Sequence, residues 1–416
     1  MALTWSTRES QGAAMRPEHL DEAVPEPADR QRYTRALASA RDAVLSGQRP
    51  PVPVRSPIID SWQRVRGHGL DPDRGRDVDP VPLTEVERRR QRCGLAGDPV
   101  RTLRTGLLPA ADSAGHIVVV VDSDGRLLWR EGNRAVLRRA DRLGFVEGAS
   151  WGEGSVGTNA IGTALVEGRP LHVHATEHYV GTHHLWTCAA APVHDPRDGR
   201  LLGAVDISGP RDTAHPSMLA LVSAVAEMAE ARLREAHRDQ LDRLRAIAAP
   251  LLARMPGQAL VVDRNGWVAA STGLPPIDRV ALPAQLDSQR VWVPAFGDCV
   301  LEPLPEGVLL RPGGLGTAAS ARVVLDFRGA RPQLSVHRDS GSWSYQVSAR
   351  HADVLACLAE RPAGCSAADL AEHLFADPTR TVTVRAEMSR LRKRFGDLLQ
   401  HRPYRFRPEL DVSVLR

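Results

Sequence analysis

The sequence predicts an α+β protein of several domains, on three observations. At 416 residues the chain exceeds an ordinary single core and suggests roughly three modules. Short apolar runs bounded by turn residues, the mark of strands, alternate with stretches in which apolar residues recur every three or four positions, the mark of helices. A helical pattern across 213–250 divides the strand-rich stretches into two groups.

Composition narrows the class. Apolar residues make up 42% and charged residues 25%, as in soluble globular proteins and unlike disordered chains. No apolar run approaches the roughly 20 residues that cross a bilayer, so no membrane span is expected. The start, MALTWSTRESQG, has neither a basic nor an apolar signal region, and nothing marks it for secretion. Five cysteines (Cys93, Cys188, Cys299, Cys357 and Cys365) form no CxxC pair, which fits a reducing cytoplasm and supplies no zinc knuckle. Neither a cofactor nor a metal is expected. Of 54 basic residues only Lys393 is a lysine. The stretch 348–407 holds 11 basic and 7 acidic residues, a net +4 that equals the charge of the whole chain.

Along the chain, 1–28 reads as a flexible polar arm. Residues 29–95 form an N-terminal helical segment, in which QRYTRALASARDAVL and IIDSWQRVRGHGL flank a proline-stiffened link. Residues 96–212 are a sheet-bearing domain opening on the hairpin HIVVVVDSDGRLLWREG. In 213–250, Leu219, Val222, Ala226, Ala229, Leu233 and Ala236 recur by threes and fours along one long linker helix. That helix either covers its own domain or pairs with a second copy in a homodimer. Residues 251–345 are small and β-rich, and QALVVDRNGWVAAS there looks PAS-like.

The last domain, 346–416, shows three helix patterns and a hairpin. SARHADVLACLAERPAG begins at the N-cap Ser348, and SAADLAEHL begins at the N-cap Ser366. In the third helix, TVRAEMSRLRKRFG, the residues Val384, Met388, Leu391 and Phe395 form one apolar stripe. The remaining surface carries Arg385, Ser389, Arg390, Arg392, Lys393 and Arg394, a cationic face that suits the major groove of double-stranded DNA. HRPYRFRPELDVSVLR then reads as a hairpin wing, with Arg402, Tyr404 and Arg405 as further DNA-binding candidates. The order resembles that of bacterial winged-helix transcription regulators. A basic face also suits a protein partner such as RNA polymerase, in which case the chain is a signalling scaffold.

Residues 144–210 contain GASWGEGSVGTNAIGTALVEGRPLHVHATEHYVGTHHLWTCAAAPVHDPRDGRLLGAVDISGP. The tryptophan and glutamate before GTNAIGTAL, the EH followed by an aromatic, the WTC strand and the closing AVDISG resemble the GAF domain of bacterial acetoin and glycerol catabolism regulators. This resemblance implies a sensor for a small-molecule effector, with Trp151, Glu153, Asn159, His178, Trp186 and Cys188 as ligand-binding candidates. Gly152, Gly154 and Gly157 either serve a tight turn alone or let backbone approach a ligand. His172 and His174, two apart on a strand, permit metal coordination, although histidines in a surface hairpin more often hydrogen-bond or meet solvent.

The resemblance stops short of one activity. Relatives with this sensor carry a central ATPase whose Walker A motif needs a lysine, yet GxxxxGK[ST] occurs nowhere and Lys393 lies near the C-terminus. No nucleophile–base pairing stands out either. The expectation is a non-enzymatic, cytoplasmic, effector-responsive DNA-binding regulator.

Overall fold

A computed structural model describes residues 30–416 except 74, 76–78, 284–285, 287–289, 314–320, 330–331, 339–340 and 397. The polar arm expected over 1–28 lies outside the described residues. The chain divides into two compact units, Met1–Ala236 and His237–Arg416. Among the described residues no helix is long and apolar enough to cross a membrane.

The first unit runs α1 (Arg30–Leu45), α2 (Ser56–Gly67), α3 (Leu83–Arg92), α4 (Asp98–Ser113), β1 (Ile117–Asp122), β2 (Leu127–Gly132), α5 (Arg134–Asp141), α6 (Glu153–Val156), α7 (Ala160–Glu167), β3 (Leu171–His174), β4 (Trp186–His194), β5 (Leu201–Pro210) and the start of α8 (Ser217–Leu252). Its antiparallel sheet has the order β2-β1-β5-β4-β3. The interior strand β1, IVVVVD, is β-branched almost throughout and buried on both faces, so each face of the sheet needs its own cover. Val118, Val120, Val205 and Ile207 meet Leu103 and Leu107 of α4 and Val222, Val225 and Ala226 of α8. Gly106 permits this approach, because a Cβ there would lie 2.8 Å from Val225 Cγ1. Ile117, Val119 and Val121 face the other way, into a core completed by Ile58, Trp62 and Val65 of α2 and by Ala160, Ile161 and Ala164 of α7. The helical segment expected to end at 95 is thus built into the same unit as the sheet.

The second unit takes the end of α8, then β6 (Ala259–Asp263), β7 (Val268–Thr272), β8 (Arg290–Val293), β9 (Gly297–Leu304), β10 (Gly307–Pro312), β11 (Ala321–Asp326), β12 (Gln333–Arg338), β13 (Gly341–Gln346), α9 (Ala349–Glu360), α10 (Ala367–Phe375), α11 (Thr381–Phe395), β14 (Leu399–His401), β15 (Tyr404–Phe406) and β16 (Leu410–Leu415). Its sheets are β7-β6-β10-β9-β8, β13-β12-β11-β16 and the two-stranded β14-β15. The end of α8 covers one face of the first of these, where Leu244, Ala248 and Leu252 meet Val261 and Leu309.

Two features differ from the sequence reading. The closing hairpin is only β14 and β15; the remaining strand, β16, leaves it and pairs in parallel with β11, Val323 opposite Val412. The boundary expected at 345/346 also fails to separate two cores, since Trp292, Val323 and Trp343 share one continuous cluster with Leu355, Leu370 and Leu391. The physical reason is common to both: β11 pairs with β12 on one side and leaves its other edge for β16 to fill, and this joins the C-terminal helices to the sheet.

The three helices follow their local signals. Ser348 caps α9 by accepting from His351 N, and Ser366 forms a capping box with Asp369 on α10. On α11 the apolar stripe is buried, Phe395 completely and edge-on to Tyr345 at 5.2 Å. Phe395→Ala should destabilise the His237–Arg416 unit by about 3–5 kcal/mol, whereas Lys393→Ala on the exposed face should change it by less than about 0.5 kcal/mol. Urea unfolding followed by hydrogen exchange within this unit measures both; equal effects would show that the stripe does not anchor the helix.

Candidate functional site

The first unit holds a small cavity lined by Leu143, Phe145, Trp151, Asn159, Ala160, Ile161, His178, His183, Trp186, Cys188, Asp206 and Ser208. Five of the six sequence candidates therefore converge, from the loop before α6, the start of α7, the loop after β3 and strand β4. Aromatic walls dominate. Phe145 and Trp151 have ring centroids 4.0 Å apart, and those of His183 and Trp151 are 5.1 Å apart.

The polar groups divide into those already engaged and those that are not. Asn159 donates to Trp151 O at 3.0 Å and Gly157 O at 2.8 Å and accepts from Gly162 N, so its amide is fully used as the N-cap of α7. His178 lies 3.0 Å from Ala175 O through Nδ1; a carbonyl only accepts, so the neutral ring carries its proton there and leaves Nε2 an acceptor. By contrast Trp151 Nε1, His183 Nδ1 and Asp206 Oδ1 are buried and find no hydrogen-bond partner among the described residues. All three belong to residues that line the cavity.

Burial sets the charge states. It pushes His178 well below the ordinary histidine value and His183 down to about 4, so both rings are neutral near pH 7. It raises Asp206 to about 7, against the hydroxyl of Ser208, which donates to Asp206 Oδ2 at 2.6 Å. It also holds the Cys188 thiol well above its usual range, with Asp206 adding to the effect, so this side chain is a thiol and not a thiolate.

Glu153 departs from the sequence reading. Its carboxylate does not line the cavity but pairs with Arg64 of α2, Nε to Oε2 at 2.9 Å. Burial works to raise its pKa; hydrogen bonds from Arg64, Ser61 and Thr163 outweigh that and hold it below the ordinary carboxylate value. Gly152, Gly154 and Gly157 are not cavity residues either. Gly157, at φ +76°, lets backbone pass Tyr179, whose Cβ would lie 2.7 Å from an added Cβ. His172 and His174 are buried instead of sitting in a surface hairpin, and His172 Nε2 shares a hydrogen bond with Thr187 Oγ1 at 2.8 Å. Among the described residues no group of three or more His, Cys, Asp or Glu side chains could hold a metal ion.

Sequence reasoning missed Phe145, His183, Asp206 and Ser208. A signal for the last two exists: in AVDISG, alternation puts Ala204, Asp206 and Ser208 on one face of β5 and Val205 and Ile207 on the other. Two polar side chains on an otherwise core-facing row mark a lined space.

Anchors from the N-terminal helices hold the wall at 175–184. Arg55 pairs with Glu177 at 2.7 Å, Trp62 Nε1 donates to Glu177 O at 2.8 Å, and Arg41 donates to Tyr179 O through Nε at 2.9 Å.

Residues 27–231 match the family model described as MimR, N-terminal domain. An uncharacterised 47.3 kDa protein in the thcA 5′ region of Rhodococcus erythropolis is 32% identical over 87% of this chain and 65% of its own length. The acetoin dehydrogenase operon transcriptional activator AcoR of Bacillus subtilis is 36% identical over 48% of this chain and 32% of its own. The propane 2-monooxygenase operon transcriptional activator MimR of Mycolicibacterium smegmatis is 32% identical over 54% of this chain and 37% of its own. The chain spans less than two thirds of the length of each of these relatives.

In the second unit the DNA-binding candidates separate. Arg385, Ser389, Arg392, Arg402 and Tyr404 line one open groove between α11 and the β14–β15 hairpin. Arg385, Arg392, Lys393 and Arg402 are exposed and have no ion-pair partner among the described residues. Arg390 instead donates to Glu387 at 2.6 Å, and Arg394 stacks over Tyr345 at 5.0 Å. Arg405 is half-buried and donates to Gln400 at 2.6 Å. Tyr404 corrects the expectation most: it is 7% exposed and part of the core, because it faces inward on the hairpin beside Phe406.

Because the folded protein holds the Asp206 proton at pH values where an unfolded aspartate has released it, the contribution of Asp206 to stability should fall as pH rises from about 4 to about 7, while the buried neutral rings of His178 and His183 contribute with the opposite sign. The part due to Asp206 is the difference between the parent and Asp206→Asn, read from denaturant midpoints against pH, and the variant should gain stability relative to the parent across that range. A difference that does not change with pH would mean that Asp206 is ionised throughout.

Proposed function

We propose that this chain is an effector-responsive bacterial transcription regulator, with a GAF-type sensor over 96–212, a PAS-like segment after it and a winged-helix reader in the C-terminal residues that binds double-stranded DNA. It acts in the cytoplasm and is not an enzyme; no Walker A lysine stands between sensor and reader, so these residues hydrolyse no ATP.

The observation that carries this reading is the two-sidedness of α11. Val384, Met388, Leu391 and Phe395 are buried, while Arg385, Ser389, Arg392 and Lys393 are exposed beside a hairpin that adds Arg402. A helix seated through one side and cationic on the other matches the phosphate-flanked major groove. The named relatives among the comparisons, activators of operons, support the same role.

The cavity supports the sensor. Its neutral imidazoles, thiol and aromatic walls favour an uncharged effector, and the unpartnered Trp151 Nε1 and Asp206 Oδ1 favour one that offers an acceptor to the indole and a donor to the carboxylate. Pairing into a homodimer is supported by α8, where Ala224, Met228 and Ala231 leave a small apolar stripe exposed.

The test is binding of the full chain to duplex fragments selected from genomic DNA, titrated over a range of salt. Replacing Arg385 and Arg392 by alanine should lower the salt slope by about one for each lost phosphate contact, or weaken binding by about 1–3 kcal/mol for a lost base contact. Unchanged affinity and slope in the double variant would remove this face from the interface.

A further inference from the structure

The cationic face of α11 is not uniformly polar. Val382, in its first turn, is 75% exposed, the most exposed large hydrophobic among the described residues. At 100° per residue Val382, Ala386, Ser389 and Lys393 lie opposite the buried stripe, so the centre line of the face begins with two apolar side chains. Arg385 and Arg392 flank that line on the side of the hairpin. A surface with a row of methyl groups between two rows of phosphates is complementary to this order.

We infer that Val382 reads thymine: its side chain packs on a thymine 5-methyl group in the major groove, with Ala386 and Ser389 facing the base steps that follow. This rests on the reading of α11 as a DNA-binding helix and adds to it the residue that sets sequence preference. Three features carry it. The apolar pair is open, with nothing in its own unit covering Val382. The charge beside it is of the right sign, since Arg385, Arg392 and Lys393 are exposed and without ion-pair partners among the described residues. The dimensions agree: Val382 to Ser389 spans about 10.5 Å along the helix, close to three base steps of about 3.4 Å. Apolar contact with the thymine methyl is the means by which a side chain without donors or acceptors distinguishes a base pair. An apolar protein partner would have no need of the flanking arginines.

The experiment uses the full chain and one duplex recovered by selection from genomic fragments. Each thymine of the protected site is replaced in turn by deoxyuridine, which lacks only the 5-methyl group. One or two replacements should weaken binding about fourfold each, the worth of one buried methyl. Val382→Ala should weaken binding to the thymine duplex by a similar or larger factor and should no longer respond to those replacements. Its affinity for unrelated duplex, and the salt slope there, should stay at the parent value. The inference is overturned if Val382→Ala binds the selected duplex as the parent does, or if parent and variant respond alike to the deoxyuridine series; DNA binding by α11 would then stand without it. If the parent chain selects no duplex above its non-specific affinity, the reading of α11 as a DNA reader fails as well, and that result is distinct from the first two.

Discussion

Burial of four side chains on α11 is the constraint from which the rest of the second unit's surface follows. Val384, Met388, Leu391 and Phe395 fall within an arc of about 60°, so seating them fixes the rotation of the helix. One flank is thereby turned toward groups of the same unit, and Arg390 and Arg394 engage Glu387 and Tyr345. The other flank faces the hairpin, where Arg385 and Arg392 share an open groove with Arg402 and have no ion-pair partner among the described residues. Cations held next to one another without carboxylates repel, and a folded chain keeps such an arrangement where a polyanion neutralises it. Composition alone could not separate the two flanks, since arginine occupies both.

In the first unit the corresponding constraint is a sheet buried on both faces. Helices α4 and α8 close one face with apolar side chains, and the cover of the other face holds the small aromatic cavity. An unpartnered buried polar atom costs about 1–3 kcal/mol, and Trp151, His183 and Asp206 each contribute one to this single space. Their concentration at one place argues for a ligand that satisfies them and against scattered packing defects. The ion pair between Arg55 and Glu177 anchors this wall, with Trp62 and Arg41 hydrogen-bonded to the same loop.

What the sequence made legible was local. The caps at Ser348 and Ser366, the stripe on α11 and the β1–β2 hairpin all depend on residues within a few positions of one another, and each is found where its pattern lies. What it hid was long-range. Nothing near Leu410–Leu415 says that this strand will leave the hairpin for β11, which lies nearly a quarter of the chain away, and the inward turn of Tyr404 follows from that hairpin's packing. Glu153 was misread for a related reason. Its place in the motif is also explained by Arg64, a residue 89 positions earlier whose contact no spacing rule reveals. Five of the six residues that the resemblance named line one cavity, and the alternation along β5 is the signal that adds Asp206 and Ser208.

That same alternation gives β5 a part in both faces of the sheet. Asp206 and Ser208 line the cavity, while Val205 and Ile207 between them belong to the cluster that holds Val222, Val225 and Ala226 of α8. A single strand is therefore all that separates the candidate ligand from the long helix. Such a strand, hydrogen-bonded to β1 and β4 along its length, is stiff, so a group that draws on Asp206 acts on the apolar residues behind it with little slack. The helix they touch continues into the second unit, where Leu244, Ala248 and Leu252 enter another core. Coupling along this route requires two arrangements of α8 that the ligand distinguishes. The buried carboxylic acid is the natural place for that distinction to arise, because accepting a donor from a ligand favours its ionised form and so changes the charge at the centre of β5.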